Sequence, residues 1–162
     1  MINEHKSNTP AAIKDSWQTP KSLFDKLNKE FKFICDVAAS DDNHLVDAYF
    51  TIDDDALTGD WLSVNWCNPN YSNIGPWISK SIEQHKQGKT IVMLVPSDTS
   101  VKWFKRAYES CNDVRFISGR LSFINASTQK PVNGNNKGSV LFIWRGHCKS
   151  HCVSLVDRSE YC

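Results

Sequence analysis

No apolar stretch in this 162-residue chain approaches the roughly twenty residues that a membrane-crossing helix needs. The polar start, Met1 to Ser16, also lacks the apolar core of a secretory signal. A cytoplasmic location is therefore expected. Internal repeats and low-complexity tracts are missing too, which argues against solenoid and linker architectures. A glycine-rich dinucleotide fingerprint is absent as well. Charge of one sign is not in excess, since the net charge is only +1. The six cysteines are scattered, and Cys35 and Cys67 sit in apolar, strand-like runs, as free thiols of a reducing compartment do. His147-Cys148-Lys149-Ser150-His151-Cys152 looks ligand-like, but a structural zinc site normally pairs two such clusters and no clear second one exists. No metal is expected, and the run reads as an ordinary tail.

What is present is enough for one sizeable core, because a chain of this length buries roughly two thirds of its unfolded surface. Three segments are expected: a loose arm over 1–16, one domain over 17–145 and a tail over 146–162. The neutral total hides an asymmetry. Residues 1–100 carry nine Lys/Arg against fourteen Asp/Glu, whereas residues 101–162 carry ten against four. A basic half suits a polyanion, although chance placement on solvated surfaces gives the same count.

Thr19-Pro20 predicts a helix start, with a hydroxyl cap followed by proline at the first helical position. Leu23, Phe24, Leu27 and Phe31 follow on one face. A strand over 33–38 leads into an acidic, irregular stretch over 40–60. A second strand over 64–67 runs into Asn68-Pro69-Asn70-Tyr71. Gly75-Pro76 opens a helix with Trp77, Ile78 and Ile82 inward, and Gly88 is placed to end it. Residues 90–95 form the clearest central strand. A third helix over 100–110 buries Val101, Phe104, Ala107 and Tyr108, and strands are expected over 114–117, 121–124 and 139–144. The pattern is that of an α/β fold with a mostly parallel, trimmed Rossmann-like sheet, ending in an antiparallel hairpin at the C-terminal edge.

Open α/β sheets bind ligands beyond the carboxyl ends of their strands. The first strand ends in Asp36-Val37-Ala38-Ala39, where small residues admit a ligand and the acid can accept from ribose hydroxyls or an amine. An ordinary strand-to-loop turn has the same composition. The second strand ends in Asn68-Pro69-Asn70-Tyr71. An aromatic amine such as adenine N6 is a poor nucleophile because its lone pair is delocalised into the ring. The Asn68 side-chain oxygen and the Pro69 carbonyl can hold both amine hydrogens and offset the charge that develops on nitrogen. Tyr71 can stack on a base swung out of the duplex. Asn and Pro are also the commonest turn formers, so a plain turn is the alternative.

The chain resembles the phage-type DNA N6-adenine methyltransferase (Dam-like) family. The similarity runs through Trp17-Gln18-Thr19-Pro20, Asp36 with Ala38-Ala39-Ser40, Asp54-Asp55-Ala56-Leu57, Asp60-Trp61 and Trp66-Cys67-Asn68-Pro69 with Tyr71-Ser72. It continues through Val95-Pro96-Ser97-Asp98-Thr99, Gly119-Arg120 with Phe123, and Lys137-Gly138-Ser139. The resemblance implies S-adenosyl-L-methionine as methyl donor and double-stranded DNA as substrate. It implies that Trp17, Thr19 and Pro20 flank the cofactor, that Asp36, Ala38 and Ala39 hold its methionine end or ribose, and that Asp54 and Asp55 serve its adenosine end. Asn68, Pro69, Asn70 and Tyr71 would be catalytic. Asn70 departs from the family pattern, which has a second proline there; asparagine restores an N–H and loosens φ.

Only about thirty residues separate Asp36 from Asn68, leaving no room for a target-recognition domain there. DNA reading is expected from residues 120–137, with Arg120, Lys130 and Lys137 on phosphates and Asn125, Gln129, Asn133 and Asn135 available to base edges. Loop asparagines are also common turn residues. Lys102, Lys105 and Arg106 are further candidates for backbone contacts. A monomer is expected, with a homodimer as the alternative. Rival functions are methyl transfer to another planar amine (protein glutamine or RNA), a catalytically silent DNA-binding relative, and a zinc-dependent interaction module.

Overall fold

The computed structural model describes residues 17–132 and 136–162. The N-terminal arm, Asn133 and Asn135 therefore lie outside the described residues. Helix α1 (Lys21–Phe31) turns Leu23, Phe24, Leu27 and Phe31 inward at helical spacing. Helix α2 (Gly75–Lys86) starts with proline in its first turn, where a missing N–H costs nothing, and Gly88 follows it at φ +85°. Helix α3 (Lys102–Ser110) buries Phe104 and Ala107, with Val101 and Tyr108 half-buried.

Six strands form one sheet in the order β2 (Cys35–Asp36), β3 (Val64–Cys67), β4 (Thr90–Pro96), β7 (Ser139–Trp144), β5 (Asp113–Ser118) and β8 (Cys152–Asp157). Strands β2, β3 and β4 are parallel, and β7 is antiparallel to both β4 and β5. The α/β class and the antiparallel stretch near the C-terminal end agree with the sequence. The partners of that stretch do not. Ile124 and Asn125 form β6, which pairs with β1 (Trp17–Gln18) in a separate two-stranded ribbon. Strand β7 instead enters the sheet between β4 and β5, where all six of its residues are buried.

Residues read as a tail also join the sheet, since β8 pairs in parallel register with all six residues of β5. Strand β8 is exposed along nearly its whole length, with Leu155 73% accessible, as an edge strand with little buried surface is. Among the described residues no three or more His, Cys, Asp or Glu side chains converge on a common point that could hold a metal ion. His147 instead packs its ring where a Gly88 Cβ would stand, and His151 Nδ1 meets the Cys111 carbonyl at 2.9 Å. No helix among the described residues is long and apolar enough to cross a membrane.

Alternation along β4 and β7 separates two cores. Ile91, Met93, Val95, Phe142 and Trp144 face Ile78, Phe104 and Ala107 on the side of α2 and α3. Val92, Leu94, Leu141 and Ile143 face Leu23, Phe24, Leu27 and Phe31 of α1 on the other. The result is a three-layer sandwich. At the end of the sheet remote from the C-termini of β2, β3 and β4, Glu30 closes α1 onto it, 2.6 Å from Arg115 and 3.3 Å from Arg145. Those two arginines of the basic half therefore serve the fold.

Candidate active site

Strands β2 and β3 both end at the same edge of the sheet, and a cavity of about 990 Å³ opens beyond them. Its wall combines Trp17–Thr19, Asp36, the Ala38–Leu45 loop, Thr51–Asp53, Asn68–Tyr71 and Phe123 with Gln129. Three segments distant in sequence thus converge on one space: the start of the described chain, the turn after β2 and the turn after β3. The parallel pairing Asp36↔Trp66 sets the two strand ends side by side.

Asp36 is 4% exposed and accepts from the Leu45 N–H at 3.1 Å and the Ala38 N–H at 3.4 Å. Its carboxylate therefore stitches the Ala38–Leu45 loop back onto the strand end. Burial nevertheless pushes its carboxyl up to about 6, against the lowering pull of those two N–H groups. Asp25, Asp41, Asp42 and Asp53 line the same cavity, with Lys21 the one Lys or Arg among the described residues of its wall. An acidic, partly desolvated space of this kind favours a cationic ligand and disfavours a phosphate.

Asn68 leaves the end of β3 with its side chain fixed: Nδ2 donates to Thr19 Oγ1 at 2.9 Å. Asn70 is exposed at the mouth of the cavity, and its carbonyl accepts from the Asn73 N–H. Tyr71 sets its ring edge-on to Phe123 at 6.0 Å. Its hydroxyl is buried without a partner among the described residues, so burial drives it well above the ordinary tyrosine range. Trp17 stacks on Phe123 at 5.9 Å, and its Nε1 is likewise buried and unpartnered among the described residues. Phe123 is the hinge of this aromatic group; sequence reasoning noted it without giving it a role.

Several candidates fall elsewhere. Asp54 caps a short 3₁₀ turn, accepting from Thr51 N at 2.7 Å and Thr51 Oγ1 at 3.0 Å, and does not line the cavity. Asp55 closes that turn in a left-handed conformation. Their neighbour Asp53 lines the cavity instead. Three consecutive aspartates gave sequence reasoning no means of telling which one faced inward. Pro20 is the N-cap of α1 and lies outside the wall, although Thr19 beside it is part of it.

Of the DNA-reading candidates, Asn125 spends its Oδ1 on the Ser127 and Thr128 N–H groups, so it shapes a turn. Gln129, held at φ +55°, reaches the cavity wall. Lys102 begins α3 just beyond β4, Arg120 follows β5, and Lys137 precedes the antiparallel β7. All three therefore emerge at the edge of the sheet that carries Asp36 and Asn68. Lys137 pairs with Asp98 at 3.2 Å, and Lys130 is exposed on the β6 loop. Lys105 pairs loosely with Glu109, and Arg106 donates to Ser79.

The mixed α/β sheet thus brings Asn68-Pro69-Asn70-Tyr71 to an acidic cavity beyond its strand ends. The family model described as DNA N-6-adenine-methyltransferase (Dam) matches residues 6–162. The chain belongs to that family. It is 35% identical to a DNA N-6-adenine-methyltransferase of Haemophilus phage HP1 (strain HP1c1), over 96% of this chain and 95% of that protein. It is also 35% identical to a DNA N-6-adenine-methyltransferase of Escherichia phage T1, over 86% of this chain and 66% of that protein. The chain thus spans just under two thirds of the phage T1 relative.

Proposed function

We propose that this chain carries out its family's reaction with S-adenosyl-L-methionine, moving a methyl group to N6 of adenine in double-stranded DNA. The observation that carries the reading is a shared cavity on whose wall the Asn68–Tyr71 turn and the acidic Asp36–Asp53 region meet. Its volume lies at the upper end of the range for small-molecule sites, enough for a cofactor and a flipped base together. The donor set fits the cofactor: several carboxylates face a molecule whose sulfonium and ammonium are both cationic. When bound, S-adenosyl-L-methionine supplies a methyl group made electrophilic by its sulfonium.

Asp36 and the small residues Ala38 and Ala39 would form the cofactor cradle, with Asp41, Asp42 and Asp53 adding negative potential. Asn68 Oδ1 and the Pro69 carbonyl accept the two hydrogens of the target amine, turning its lone pair out of conjugation. As nitrogen gains positive charge, the same two oxygens stabilise it. Transfer would form the N6–methyl bond as the methyl–sulfur bond breaks, leaving a neutral thioether, and N6 would then lose its proton to water, with no covalent intermediate with the protein. Tyr71, Phe123 and Trp17 form the apolar wall against which an extruded base can rest. Lys102, Arg120, Lys130 and Lys137 supply phosphate contacts around the mouth, and Gln129 is placed to meet the base.

The test is transfer of labelled methyl from S-adenosyl-L-methionine to unmethylated duplex DNA, followed by nucleoside analysis. Label in N6-methyladenine is the expected result. Label on another nucleoside, or none with cofactor bound, would overturn it.

A further inference from the structure

We infer that Thr19 is a positioning residue for Asn68, holding the catalytic amide with its oxygen turned toward the substrate amine. The inference rests on the functional reading above and deepens it. Thr19 stands where a helix N-cap is expected, yet no side-chain cap bond forms at α1, and Pro20 is the capping residue. A threonine hydroxyl free to cap would satisfy one of the open N–H groups there. Here the hydroxyl is directed instead across 49 residues of sequence to Asn68 Nδ2, at 2.9 Å. Thr19 is only 7% exposed, so its side chain has little access to water, and among the described residues its oxygen accepts from this amide.

Backbone geometry holds the hydroxyl in place from both sides. Upstream, Trp17 and Gln18 pair with Asn125 and Ile124 in the β1–β6 ribbon. Downstream, Pro20 sits at φ −57°, and its carbonyl accepts the first helical bond of α1 from Phe24 at 3.2 Å. The residue between these anchors has little freedom to move. Asn68 in turn follows a strand whose last three residues are buried.

The chemistry explains why such a tether matters. An asparagine amide has nearly the same shape in two orientations, one offering an acceptor and the other two donors. A target amine needs the acceptor, because a presented NH₂ group would meet the amine hydrogens donor to donor. Donation from Nδ2 to Thr19 turns Oδ1 away from Thr19, and both residues line the cavity. Without the tether, the amide can rotate, and a misplacement of about 1 Å at a reacting group costs on the order of 100-fold in rate. Thr19 does this without touching the reacting atoms.

The experiment compares Thr19→Val, which keeps the shape and loses the hydroxyl, with Thr19→Ser, which keeps the hydroxyl. Methylation of duplex DNA is measured at saturating S-adenosyl-L-methionine, and cofactor affinity is measured separately by calorimetry. For Thr19→Val, kcat should fall at least tenfold, with cofactor Kd and DNA KM each within about threefold of wild type. Thr19→Ser should recover most of kcat. A valine variant with weakened cofactor affinity and normal kcat at saturation would overturn the inference and make Thr19 a cofactor ligand. A serine variant as slow as the valine variant would also overturn it, by showing that packing alone matters. Thermal melting of both variants separates misfolding from either outcome, and kcat is compared at a temperature below both transitions. Failure of the functional reading itself has a different signature, since the wild-type protein would then leave no label in N6-methyladenine.

Discussion

Raising the pH from 4 to 7.5 removes the proton from Asp36, and the buried site makes that removal costly. The Asp36 carboxyl is pushed from an ordinary 3.8 to about 6 by loss of water around it. A folded-state value above the unfolded one means that the folded protein holds the proton more tightly. The associated stability is fully present below pH 3.8 and is lost as pH rises through about 6. Two pKa units, at about 1.4 kcal/mol each, give a loss of about 3 kcal/mol from this one group by pH 7.5. Glu30 and Asp98, held low chiefly by Arg115 and the Ser100 hydroxyl respectively, change stability in the opposite direction as pH rises and obscure the effect in a single curve. They are common to wild type and Asp36→Asn, so the difference between the two proteins isolates Asp36.

Urea unfolding at several pH values is the assay. Relative to wild type, Asp36→Asn should gain up to about 3 kcal/mol between pH 4 and pH 7.5. A cation bound beside Asp36 reverses the balance by favouring the carboxylate. Wild-type affinity for S-adenosyl-L-methionine should therefore rise with pH between 5 and 7, with proton release on binding, and the asparagine variant should lose that dependence. A stability difference that stays flat with pH would refute desolvation as the dominant influence on Asp36.

Asn68→Ala removes one of the two amine acceptors. Methyl transfer should fall by about 100- to 1,000-fold while calorimetric cofactor binding stays near wild type; near-normal rates would rule out the amine cradle. Lys102→Ala and Arg120→Ala should each weaken DNA binding across all sequences and reduce the slope of log affinity against log salt by about one, as read by fluorescence anisotropy. An unchanged slope would place that side chain off the DNA path. At Gly146 a Cβ would run into the backbone carbonyl of Gly88, which cannot yield as a flexible side chain can. Gly146→Ala should cost about 1–3 kcal/mol in denaturant unfolding, and a neutral effect would show that this junction relaxes freely.

Local physics made much of this protein legible in its sequence. The 3.6-residue spacing of Leu23, Phe24, Leu27 and Phe31, the proline in the first turn of α2 and the apolar run through β4 each specify their element without help from distant residues. The place of Asn68-Pro69-Asn70-Tyr71 at a strand end is readable because strand and turn are contiguous in the chain, and the structure puts all four residues on the cavity wall. Pairing across the chain was not readable. Whether β7 joins its neighbour in sequence or inserts between β4 and β5 depends on which apolar faces it can bury, and both of its faces are covered only in the central position. Strand β8 stayed hidden because an edge strand with little buried area leaves little periodic signal. The aspartates at 53–55 look alike in sequence, and only the turn begun by Thr51 decides that Asp53 meets the cavity while Asp54 caps the helix. Thr19 shows the same division. A hydroxyl before proline predicts a helix cap by local rules, but tertiary structure brought Asn68 within 2.9 Å, and the buried oxygen bonds there instead.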